Sequence, residues 1–174
     1  MSNHTHKETT MNDSANRHDA QGGLRTLTPH LVCSDAAAAI EFYKQAFGAE
    51  EVMRLPMPDG KLGHAMLRIG DSMLMLADEF PQWDSLSPTS LHGSPVTIHL
   101  SVPDVDERFA VAVEAGASVR MEPADMFWGD RYGVLVDPFG HHWALATHLR
   151  DVPVEEMQTA VRQMCSDATR QAAR

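Results

Sequence analysis

One arrangement of residues occurs twice in this chain, 69 positions apart, and it limits the fold more than any other feature. His30-Leu31 is followed by Asp35, and His99-Leu100 by Asp104, each His five residues ahead of its Asp. A segment with helical spacing comes next in both halves, Ala36 to Phe47 and Val105 to Glu114, closing on Gly48-Ala49 and Gly116-Ala117. A carboxylate at a helix start accepts from the orphan N–H groups of the first turn, and a glycine ends a helix by adopting left-handed backbone. Both boundaries therefore have a physical cause. Strand-like runs follow: Ser72-Met-Leu-Met-Leu-Ala77 is echoed by His141-His-Trp-Ala-Leu-Ala146, after the turns Gly70-Asp71 and Asp137-Pro-Phe-Gly140. The order β-α-β-β-β occurs twice. It predicts an α+β fold of two βαβββ repeats, with a curved mixed sheet, helices on its convex face and a pocket on its concave face.

Alternation separates the two faces of that sheet. Val96, Ile98, Leu100 and Val102 make one face of their strand, and Thr97, His99 and Ser101 the other. In the same way Ala65, Leu67 and Ile69 oppose His64, Met66 and Arg68, while Leu31 and Cys33 oppose Thr28, His30 and Val32. The apolar face packs under the helices. The second mixes His, Thr, Ser, Arg and Met, which reads either as the lining of a small-molecule pocket or as one solvated face of an antiparallel sheet. The residues expected to bind a ligand there are His30, His64, Arg68, Met75, His99, Ser101, Trp128, Arg131 and His142, with His148 on the same face. The guanidinium groups of Arg68 and Arg131 suit a carboxylate or phosphate, or else they pair with Asp130 or Asp71. Phe127 and Trp128 read as stacking aromatics at the pocket mouth or as packing against a C-terminal helix. Met66, Met73 and Met75 would give the pocket a soft, adaptable wall.

Three regions are expected. Residues 1–23 are polar, aperiodic and end in Gly22-Gly23, and read as a disordered tail. Residues 24–150 hold the repeats. Residues 151–174 read as an amphipathic helix, with Met157, Val161, Met164 and Ala168 on one stripe and Pro153 suited to its first turn. The formal charge of −10, with no Lys/Arg cluster, argues against a nucleic-acid surface. No apolar run reaches the roughly 20 residues of a membrane span, and no apolar signal core is present at the N-terminus, so no membrane partner and a cytoplasmic location are expected. Cys33 and Cys165 match no zinc or redox spacing, and no nucleophile elbow, P-loop or dinucleotide fingerprint is present. With Met1 removed, Ser2-Asn3-His4 could wrap Cu(II) or Ni(II) in square-planar nitrogen geometry.

The stretches Leu27 to Val52 and Pro95 to His148 resemble the two halves of a vicinal-oxygen-chelate protein of the glyoxalase/bleomycin-resistance type, closest to the PhnB-like group. The most specific segments are Met126-Phe-Trp-Gly-Asp-Arg-Tyr-Gly133 and Asp137-Pro-Phe-Gly-His-His-Trp-Ala-Leu-Ala-Thr-His148, within a likeness covering Leu24 to Met157. The resemblance implies one of several activities: isomerase, lyase, ring-cleaving dioxygenase, thiol transferase, or sequestration of an antibiotic. It also implies a homodimer. Its metal-dependent members place His and Glu ligands where this chain has Thr28, Met75, Thr97 and Ala144. None of these is a ligand for Ni, Zn, Fe or Co. His30 and His99 lie two residues farther along their strands, displaced by about 6.6 Å, and leave a displaced metal site open. Two functions follow as expectations. One is a small-molecule binding or sequestering protein with no cofactor. The other is a lyase, isomerase or dioxygenase holding a divalent metal on the displaced histidines.

Overall fold

The computed structural model describes residues 26–172, with side chains to residue 166. The polar tail, Ser2-Asn3-His4 and the side chain of Ala168 lie outside the described residues. The first repeat runs β1 (His30–Cys33), α1 (Ala36–Phe47), β2 (Glu50–Pro56), β3 (Leu62–Ile69) and β4 (Ser72–Asp78). A connection with a 3-10 turn (Pro81–Trp83) and a short α2 (Pro88–Leu91) leads to the second: β5 (Thr97–Ser101), α3 (Val105–Glu114), β6 (Ser118–Asp125), β7 (Asp130–Val136) and β8 (His142–His148). A final helix, α4 (Val154–Ala172), starts directly after Pro153. No helix among the described residues is long and apolar enough to cross a membrane.

The caps expected from sequence hold both helices. The Asp35 carboxylate accepts from Ala38 N at 2.9 Å and that of Asp104 from Glu107 N at 3.0 Å, while Gly48 ends α1 at φ +66°. The strands form two four-stranded sheets, one per repeat, ordered β1-β4-β3-β2 and β5-β8-β7-β6. In each the first strand is parallel to the fourth and the other pairs are antiparallel. This is the α+β fold of two βαβββ repeats expected from the sequence, its mixed sheet built in two four-stranded parts because β1 and β5 are both edges.

The repeats meet in one continuous core. α1 packs beside α3, and Leu31, Leu67, Leu76, Leu135 and Leu145 are buried beneath them. Phe47 and Trp143 lie 4.5 Å apart between ring centres, and Tyr43 and Trp143 5.3 Å. Asp137, 4 % exposed, ties the halves together: its carboxylate accepts from the Tyr43 hydroxyl at 2.7 Å and the Trp143 indole at 2.9 Å. Backbone N–H groups of Phe139 and His141 fill its other oxygen. Cys33 is fully buried here, and burial followed by the charge of Asp137 pushes its thiol far above the ordinary range, which disfavours the reactive thiolate.

Candidate functional site

The face of each sheet turned away from the helices carries the candidate residues. Register assigns them. On the first sheet His30 pairs with Met75, Met75 with Met66, and Met66 with Met53, so one row crosses all four strands. His64, two residues before Met66 on β3, shares that face and reaches across β4 to His30. The ring centres are 5.6 Å apart at 86°, and buried Ala77 leaves room for the approach. Partial burial, then the neighbouring His64, lowers the pKa of His30.

On the second sheet Thr97 pairs with His142, His99 with Ala144, and Ser101 with Ala146, while Tyr132 lies opposite Ala146 on β7. His99 stacks on Tyr132 at 6.1 Å and 26°, the counterpart of His30 against His64. Trp128 meets Tyr132 edge-on at 5.5 Å. Its indole donates to Asp130 Oδ2 at 3.1 Å, which fixes the ring. The other oxygen of Asp130 lies 2.9 Å from His148 Nδ1, and Asp151 lies 3.2 Å from Nε2. These bonds, Asp130 first, raise the pKa of His148. Trp128, Tyr132 and His99 form one wall of rings, beside a carboxylate–imidazole pair able to hold a proton.

Two residues expected either to bind an anion or to pair with a carboxylate are both ion-paired. Arg131 lies on the helix face, not with His99: its guanidinium forks onto Asp106 of α3 at 2.6 and 2.8 Å and holds Asp125 at 2.9 Å. Inward Gly133 and Leu135 set the parity of β7, and Arg131 shares it. Arg68 does face outward, but it is paired with Glu50, its cross-strand partner, rather than with Asp71. His142 has Arg120 at 3.5 Å. A cavity of about 560 Å³ opens at the seam between the repeats. It takes His99 and Ser101 along one side, but its other walls are Phe47, Leu74, Ile98, Leu100 and Trp143 from the helix side.

Tyr132 and Met53 were not anticipated, and Asp130, expected as an arginine partner, instead holds Trp128 and His148. Tyr132 was findable: Met66 and Val134 lie opposite Met75 and Ala144, so His64 and Tyr132 are equivalent positions in the two repeats.

The family ligands of a divalent metal are not reproduced. Met75 and Ala144 pair with His30 and His99, and with Thr28 and Thr97 they supply a thioether, a methyl and two neutral hydroxyls. That donor set does not fit Ni, Zn, Fe or Co. Among the described residues no three His, Cys, Asp or Glu side chains are grouped to hold a metal. His30 and His99 are on separate sheets, each against its own ring partner.

The chain resembles known proteins over most of its length. It is 55% identical over 138 residues to Rv0887c, an uncharacterized protein of Mycobacterium tuberculosis, covering 78% of this chain and 81% of that one. Protein PA1353 of Pseudomonas aeruginosa superposes with a TM-score of 0.60 at 26% identity, over 72% of this chain and 99% of that one. A PhnB protein of Bacillus cereus shares the fold at 17% identity and a TM-score of 0.54, over 71% and 99%. A family model matches residues 24–145, the span of both repeats up to β8. Duplicated βαβββ topology and this match agree: the chain belongs to the Glyoxalase/Bleomycin resistance protein/Dioxygenase superfamily.

Proposed function

We propose that this chain is a cytoplasmic small-molecule binding or sequestering protein that holds a flat ligand against the ring wall of the second sheet, without a divalent metal. One observation carries the reading: Trp128, Tyr132 and His99 form a continuous run of rings whose first member is fixed by Asp130. Stacking rewards a planar ligand, and small Ala144 and Ala146 on the neighbouring strand leave the wall uncovered. An anionic ligand is less well supported, since Arg68 and Arg131 already hold carboxylates.

A homodimer fits the same reading. Leu55, on the open face of the first sheet, is 53% exposed, and a second copy is a natural cover for such surface. The test is a screen of planar aromatic compounds by tryptophan fluorescence and calorimetry. Saturable binding that Trp128→Ala and Tyr132→Ala each weaken is the expected result. Steady turnover of a dicarbonyl, catechol or epoxide by protein loaded with a divalent metal, abolished by His30→Ala or His99→Ala, would overturn it in favour of the metal-dependent enzyme.

A further inference from the structure

The two repeats carry different chemistry at equivalent positions. Where the second sheet has His99, Tyr132, Ala144 and Val134, the first has His30, His64, Met75 and Met66. One imidazole among rings and methyls on one side answers to two imidazoles and two thioethers on the other. Simple sheet lining does not require that concentration of donors. Met75 lies directly between His30 and Met66 in the row, with neighbouring strands about 4.8 Å apart, and is half-buried, as is Met66. The His64 ring reaches His30 over the same strand.

We propose that the first sheet binds one soft monovalent cation of the Cu(I) class, through the imidazoles of His30 and His64 and the thioether of Met75, with Met66 as a fourth donor. A metal–imidazole bond of about 2 Å puts an ion roughly 3 Å from each ring centre, so two rings 5.6 Å apart can share one. The remaining donors select the ion. Thioethers are soft and uncharged, poor partners for Zn or Ni and good ones for Cu(I). No carboxylate in the set offsets a divalent charge: Glu50, on the same face, is taken by Arg68. Neutral nitrogen and sulfur donors on a half-buried surface leave a single positive charge to stabilise, which is the least demanding case. The position that the family uses for a hard or borderline ligand thus holds a soft one. This site is independent of the ring wall on the second sheet.

The experiment is anaerobic titration of the full chain with Cu(I) against the chromophoric chelator bicinchoninate, with X-ray absorption on the loaded protein. The expected result is one tightly held ion per chain, with both nitrogen and sulfur in its first shell. Met75→Leu, close in volume, and His64→Phe should each weaken binding roughly tenfold or more while circular dichroism stays unchanged. If a variant does not fold, Met66→Leu and the wild-type absorption spectrum carry the test. Binding unchanged in all variants, which would move the ion to other soft donors such as exposed Cys165 or to His4, His6 or Met11, overturns the proposal. So does a shell without sulfur, or Zn(II) displacing Cu(I) at equal concentration. Loss of planar-ligand binding with Cu(I) binding intact would strike the function proposed above and leave this site standing.

Discussion

Asp137 shows how much can rest on a single side chain. Four donors converge on its two oxygens, and two of them, the Tyr43 hydroxyl and the Trp143 indole, belong to fully buried rings from different repeats. Removing the carboxylate strands both in the core, where each unsatisfied donor costs about 1–3 kcal/mol. Asp137→Ala should therefore lower unfolding free energy by about 3 kcal/mol or more, read from urea denaturation with an unchanged slope. A loss below about 1 kcal/mol would mean that water or a new partner replaces it. The neighbouring His141 makes folding sensitive to acid. Its Nε2 lies 3.1 Å from the Val32 carbonyl, and burial lowers its pKa from 6.5 against the opposing pull of Asp137. Above that value both folded and unfolded chains carry a neutral ring and its contribution is intact. As pH falls through it, the unfolded chain takes the proton first and stability is lost. Melting temperature should fall from about pH 7.5 to about pH 5.5, and His141→Gln should flatten the fall. His30 acts in the same direction and exposed His148 in the opposite one, so equal slopes for both proteins would assign the acid response to His30 rather than to His141.

At the level of the element, each helix is held by an isolated device that can be removed. Asp35→Ala and Asp104→Ala should each cost about 1 kcal/mol, measurable as shifts in denaturation midpoint, because each carboxylate satisfies one first-turn N–H. Gly129 is a sharper case. It sits at φ +101° between Trp128 and Asp130, and a Cβ there would lie 2.1 Å from the Arg150 carbonyl oxygen. Gly129→Ala must therefore move the segment that aims the ring wall, and it should abolish planar-ligand binding even where the domain still melts cooperatively. Helices and strands were legible in the sequence because their limits are marked locally, by Asp, Gly and a period of two or 3.6. Orientation was less so in β7. Asp130, Arg131 and Tyr132 are all polar-tipped, so alternation alone gives no inward side. Gly133, which could have carried the parity from Leu135 back to Arg131, has no side chain to signal it. Tyr132, which joins the expected His99 and Trp128, was missed for a related reason: stacking of His99 on Tyr132 depends on register between strands far apart in sequence.

The duplication invites the view that the molecule is two units, yet its energetics are those of one. Tyr43 and Phe47 from the first repeat pack on Trp143 and Phe139 from the second, and the Arg108 guanidinium reaches the Ala46 carbonyl oxygen across the helix pair. Each repeat alone would expose that shared surface to water. A unit of roughly 60 residues already buries only about 60% of its unfolded surface, and usually needs a disulfide or metal if it is to lose more. Neither Cys33 nor Cys165 forms a disulfide. α4 does not supply the missing cover, since its Val154 and Met164 are 58% and 57% exposed. Separate fragments of residues 26–94 and 95–150, which divide the chain before β5, should each lack a cooperative thermal transition. Mixed in equal amounts, they should recover helical signal as Asp137 meets Tyr43. The intact chain should melt in one step, with calorimetric and van't Hoff enthalpies in agreement. A cooperative transition in either fragment would show that its own sheet and helix suffice. The seam between the repeats, with its cavity, would then be a contact between two domains rather than the centre of one, and ligand binding on the second sheet should survive without the first.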